Sequence, residues 1–188
     1  MEPRTFIAKG IVLYISLFSV ALCVAWAKPR NHYKDDVPDA FKIFGDHAYG
    51  VTILDSDDDG ELECMTTKRT EYNPEAPSAT FMWNLKGLNG HEKKNIPFHV
   101  RPSNSSHEVL LNFDDDNRDR ILTVLYTDYK DCVVVEMPLL GKEECMLVVT
   151  REVKDAVPQH CFEHYDSNCD NKVTTYDPDV CSQVEDDF

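Results

Sequence analysis

The sequence predicts an all-β fold: an eight-stranded antiparallel barrel with a short helix before it and a second helix packed outside it. Three observations carry this expectation. Between residues 48 and 150, short β-branched and aromatic runs recur between polar, turn-forming clusters. Within several runs apolar and polar residues alternate, so each strand has one buried face. The cysteines gather toward the end of the chain, as expected where a C-terminal segment is stapled onto a finished body.

The elements follow in order. Residues 1–27 carry Arg4 and Lys9 ahead of an apolar run from Ile11 to Trp26 that ends in Ala25-Trp26-Ala27. That is the pattern of a secretory signal peptide, and the run is shorter than the roughly 20 residues of a membrane span. Residues 28–188 are then one secreted, extracellular domain. Pro38-Asp39-Ala40-Phe41-Lys42-Ile43-Phe44-Gly45 has Pro at a first turn and Gly at the end, which predicts a short helix plugging one end of the barrel.

Seven turn clusters then separate eight strands: Asp57 to Gly60, Asn73 to Pro77, Gly87 to Gly90, Pro102 to Ser106, Asp114 to Arg118, Asp128 to Asp131 and Pro138 to Lys142. Phe81, Trp83 and Leu85 alternate with polar neighbours, as do Ile96, Phe98 and Val100. A closed barrel of about eight strands removes sheet edges and has room for about one small ligand. Phe81, Trp83, Phe98, Phe113, Leu125, Val133 and Met146 either line such a cavity or fill a solid core, and pattern alone does not choose. Beyond Thr150, Asp155 to Tyr165 has helical spacing, with Val157, Cys161, Phe162 and Tyr165 on neighbouring turns.

Composition excludes several classes of function. Nineteen Lys and Arg against 34 Asp and Glu give a net charge of -15, a field that repels nucleic acid and anionic lipid surfaces. With Cys23 in the signal segment, six cysteines remain, and secretion makes three disulfides the default, in any of 15 pairings. Asn104-Ser105-Ser106 is a glycosylation sequon beside Pro102-Ser103, in an exposed turn. Asp55 to Gly60 begins like a calcium loop, but its twelfth position is Thr66 instead of a bidentate Glu. His160-Cys161-Phe162-Glu163-His164 has the inverted zinc-peptidase spacing, with Cys161 assigned to a disulfide and no evident third ligand. No metal, cofactor or enzymatic activity is expected.

The segments Tyr129-Lys130-Asp131-Cys132-Val133, Glu144-Cys145-Met146-Leu147-Val148 and Val157-Pro158-Gln159-His160-Cys161, with Cys169 and Cys181 following, resemble a tick salivary lipocalin of the histamine-binding protein family. Pro38-Asp39-Ala40-Phe41 looks like that family's opening helix and Glu63-Cys64 like its second-strand cysteine. The resemblance implies a lipocalin barrel, secreted in saliva, that sequesters a small host mediator, a lipid or an amine, or else binds a host protein such as complement. It also implies bridges Cys64–Cys181 and Cys132–Cys161, leaving Cys145–Cys169. Amine-binding members typically carry acids where this chain has Val133, Thr123 and the Met146-Leu147-Val148 run. A buried ammonium without an anionic partner costs several kcal/mol, so the substitutions favour a lipid mediator such as a leukotriene or fatty acid. The expected pocket residues are Trp83, Phe98, Leu125, Val133, Met146 and Val148, with Thr123, Thr127 or a basic residue receiving the polar end. A monomer is expected. Were the barrel filled, a protein-binding inhibitor acting through the Asp114 to Arg118 loop would be the competing reading.

Overall fold

The structure, a computed structural model, describes residues 37–114, 118–139 and 141–183. The signal-peptide expectation for residues 1–27 and most of the Asp114 to Arg118 loop lie outside the described residues. Helix α1 (Ala40–Asp46) is capped by Asp39, whose carboxylate accepts the Lys42 N–H at 3.0 Å. Strands β1 (Tyr49–Asp55), β2 (Thr66–Asn73), β3 (Ser78–Leu85), β4 (Lys94–Pro102), β5 (Glu108–Phe113), β6 (Asp119–Thr127), β7 (Cys132–Leu139) and β8 (Lys142–Val149) follow. Each pairs antiparallel with the next, and β1 pairs with both β2 and β8, which closes the eight-stranded barrel. All seven turn clusters separate strands as expected.

Alternation is cleanest where one face meets water. In β3, Ala79, Phe81, Trp83 and Leu85 are buried between partly exposed neighbours. Register then stacks the inward aromatics, with Phe98 opposite both Phe81 and Phe113. Ring centroids stand 5.6 Å apart for Phe81–Phe98, 5.8 Å for Phe98–Phe113 and 5.2 Å for Trp83–Phe113, within the range of favourable aromatic pairs. In β1 the alternation vanishes, because both faces are covered. Val51, Leu54, Val134, Leu147 and Val149 form an outer core with Tyr165 and Tyr176 of the C-terminal segment.

That segment holds a 3-10 turn (Arg151–Val153), helix α2 (Gln159–Asn168), a two-residue strand β9 (Val173–Thr174) and helix α3 (Pro178–Cys181). Helix α2 lies outside the barrel against β7 and β8, with Cys161 and Tyr165 as its buried face. It begins at Gln159 and not at Asp155, because Val157 precedes Pro158 and a residue before proline is pushed out of the helical region. Strand β9, which pairs with β1, was not foreseen. Cys64 is not on the second strand as expected: it sits just before β2, in a left-handed conformation at φ 56°, in the connection between β1 and β2. Three bridges tie the C-terminal segment to the barrel: Cys64–Cys181, Cys132–Cys161 and Cys145–Cys169. Such bonds fit an oxidising, extracellular compartment.

Candidate functional site: a cavity inside the barrel

The inward faces of the strands do not fill the barrel. They leave a cavity of about 100 Å³ whose walls are overwhelmingly apolar. Roughly 150 Å³ of apolar void suffices to hold a benzene ring, so this space matches one compact group. Trp83 and Phe98 form one wall, Val133, Met146 and Val148 another, and Ile43 and Phe44 of α1 close it from above. Gly50 lets the walls meet, since a Cβ there would stand 2.8 Å from both the Thr67 and Val148 methyls. Of the expected pocket residues, Trp83, Phe98, Val133, Met146, Val148 and Thr127 border the cavity.

Thr123 and Leu125 do not border it, and the reason is a bulge. The register of β6 against β7 slips between Val124 and Tyr126, so Leu125 is the extra residue and turns to the outer core. Thr123, opposite Glu136, falls on the outward parity, while Leu122 and Val124 face the interior. Strict alternation carried through residue 125 therefore misplaces everything before it.

Polar groups are few. Thr52 is buried in the wall, and the Thr67 hydroxyl is buried with no hydrogen-bond partner among the described residues. At the rim stand His47, Tyr49, Thr127, Asp131 and Thr150. Asp131, missed in the sequence because it precedes Cys132 instead of following it, is the carboxylate that touches the cavity, and it pairs with Lys130 at 3.0 Å. Two further acids were also missed. Asp55 and Glu144 are 2% and 4% exposed and lie opposite Met146 and Met137, so they share the interior face without bordering the cavity. Counting back two residues from Met146 would have placed Glu144 there.

The turn between β6 and β7 is braced beneath this rim. Asp128 accepts the N–H groups of Lys130, Asp131 and Cys132, and the His160 ring donates to it at 2.9 Å. Burial pushes its carboxyl up, but these four donors outweigh burial and hold it at about 2. A carboxyl lowered in the fold adds stability above its unfolded value of 3.8 and loses it as pH falls toward 2. Asp128→Ala is expected to cost about 1–3 kcal/mol at pH 7 and almost nothing at pH 2, read by urea denaturation at both pH values.

Asp128, Cys132, His160 and Cys161 come together as metal ligands would. Both sulfurs, however, belong to one disulfide, which leaves a carboxylate and an imidazole already bonded to each other. The other histidine of the zinc-like spacing, His164, stacks on Tyr126 with centroids 3.5 Å apart, and Asp57 of the calcium-like loop pairs with Lys142.

The closed barrel, the outer helix and the interior cavity define a ligand-binding barrel of the lipocalin type. The chain belongs to the tick histamine-binding protein family, whose model matches residues 30–183. It is similar in fold to Japanin from Rhipicephalus appendiculatus bound to cholesterol (13% identity, TM-score 0.53, covering 74% of this chain and 95% of that one). It is also similar to AM182 in a serotonin complex (15% identity, TM-score 0.54, covering 77% and 95%). Lobster apocrustacyanin A1 matches at 9% identity and TM-score 0.50, over 70% of this chain and 77% of that one. No curated protein matches the sequence.

Proposed function

We propose that this chain is a secreted salivary scavenger that sequesters one small host mediator inside its barrel, and that the mediator is a chiefly apolar lipid in preference to a biogenic amine. The observation that carries this reading is the lining: apolar walls with a single buried, unpartnered hydroxyl, that of Thr67. An unpaired buried hydroxyl costs about 1–3 kcal/mol, which a ligand oxygen would relieve. The cavity takes a short stretch of chain, so a longer tail runs out past His47 and Asp131 at the rim. The similar barrels in complex with cholesterol and with serotonin support a small-molecule ligand of either kind.

Asp131 gives the amine reading its one specific support, because an ammonium at the rim could displace Lys130 from its carboxylate. Titration calorimetry decides between the two. A leukotriene or fatty acid is expected to bind at least about tenfold tighter than histamine or serotonin, a difference of about 1.4 kcal/mol. Submicromolar histamine binding that is lost in Asp131→Asn would overturn the lipid assignment. Asn104 is exposed in the connection between β4 and β5, as an N-glycan acceptor must be in a secreted chain.

A further inference from the structure

The cavity is graded from one end to the other. Trp83, Phe98 and Met146 are buried, whereas His47, Tyr49, Thr127, Asp131 and Thr150 are partly exposed, so solvent meets the cavity beside α1. The opposite end is shut by Leu62, Met65, Leu85 and Phe113, none more than 5% exposed. Leu62 and Met65 ride on the β1–β2 connection, which the Cys64–Cys181 bridge pins and the Cys64 N–H fastens to the Thr175 carbonyl at 2.7 Å. One end is covalently stapled.

Helix α1 has no such staple, since the three disulfides all lie elsewhere. Its hydrogen bonds to the barrel are the Ala40 N–H to the Ser106 carbonyl at 2.7 Å, Arg69 to the Phe44 and Gly45 carbonyls, and two bonds to Tyr129, beside the packing of Ala40, Ile43 and Phe44 on the core. Tyr129 takes hold of both ends of the helix. Its hydroxyl accepts the Asp39 N–H at 2.7 Å and its carbonyl accepts His47 Nε2 at 3.2 Å. The turn that carries Tyr129 is itself fixed, by the four donors to Asp128 and by the Cys132–Cys161 bridge. A braced turn therefore faces a short helix attached by noncovalent contacts, with the cavity rim between them.

We infer that ligand passes between α1 and the β6–β7 turn, and that Tyr129 sets the rate of that passage. This rests on the cavity being the binding site proposed above. The side chains of Ile43 and Phe44 close the cavity, so a helix that swings on its Arg69 and Ser106 attachments uncovers it. Tyr129→Phe keeps the ring and the carbonyl and removes only the acceptor for Asp39. Loss of one such bond shifts an opening equilibrium by about two- to tenfold.

The test uses the full chain with Trp26→Phe, which leaves Trp83 in the cavity wall as the sole tryptophan. Acrylamide quenching of Trp83 reads access without any ligand. Tyr129→Phe is expected to raise the quenching constant by about two- to tenfold, while Glu63→Ala, which removes one exposed bond from Asn89 at the stapled end, leaves it unchanged. With 11-(dansylamino)undecanoic acid as probe, energy transfer from Trp83 is expected to show association and dissociation accelerated together in Tyr129→Phe, with Kd held within about twofold. Quenching that responds to Glu63→Ala and not to Tyr129→Phe, or to neither, overturns the inference. Quenching that responds to Tyr129→Phe while the probe fails to bind supports the access route and removes the lipid reading instead.

Discussion

Replacing Cys64 and Cys181 together by Ala is expected to lower the stability of this protein by at least about 5 kcal/mol, more than removal of either other bridge. The bond closes a loop of 117 residues, against 29 for Cys132–Cys161 and 24 for Cys145–Cys169. Cutting a cross-link releases unfolded-state entropy that grows with the logarithm of the loop, to about 4–5 kcal/mol for a loop near a hundred residues and about 3 for one of a few tens. A folded-state loss adds to this, because the bridge anchors the connection that carries Leu62 and Met65 into the core. Urea denaturation of the three double-Ala variants provides the ranking. Should the Cys132–Cys161 variant be the least stable, the chain-entropy account fails and local packing around α2 governs instead.

The same bridge shows what sequence could and could not supply. The cysteines, the turn clusters and the alternation in β3 and β4 were legible because each depends on local chemistry: a thiol, a residue tolerant of turns, a pleat with period two. Trp83 and Phe98 were legible as inward-facing for the same reason, but whether they line a cavity or fill a core was not, because that depends on the summed volume of all eight strands. Thr123 and Leu125 were misplaced because a bulge is a property of two strands together, visible only when Tyr126 is seen opposite Val134. Asp131 escaped notice because a carboxylate beside a hairpin turn looks solvated until the turn is folded under a rim. Asp55 was read as the first residue of an acidic loop, and it is instead the last residue of β1, on the interior face opposite Met146. Nothing in the run Asp55-Ser56-Asp57-Asp58-Asp59 distinguishes the buried first acid from the half-buried Asp57 and the exposed Asp58 and Asp59, since the division is made by the end of the strand.

That burial has the second large consequence, a stability that falls as pH rises toward neutrality. Burial first, then the charge of Glu144, raise the Asp55 carboxyl to about 7, against the bonds from the Ser56 and Asp57 N–H groups that favour its ionised form. Glu144 is raised as well, by burial and by Asp57, with Ser56 Oγ and Lys142 opposing. Lys142 is engaged with Asp57 at the surface, and the other titratable group facing the pair, Tyr165, has its hydroxyl held by the Cys145 and Asn171 carbonyls. A carboxyl whose folded value lies above its unfolded value of 3.8 binds more protons in the folded state. Its contribution is therefore full below about pH 4 and is lost as pH rises through 7. Asp55→Asn keeps an acceptor for the Ser56 N–H and offers Glu144 a donor without a charge. The variant is expected to be more stable than the natural chain at pH 8 by a few kcal/mol, several degrees in melting temperature for a domain of this size, and nearly equal to it at pH 4.5. Thermal melts at pH 4.5, 6 and 8 trace this limb, while the loss of Asp128 bonding below pH 4 works in the opposite sense and places the stability maximum of the natural chain between the two. If Asp55→Asn is destabilised equally at pH 4.5 and pH 8, the carboxyl carries its charge at both, and the bonds from the Ser56 and Asp57 N–H groups outweigh its burial.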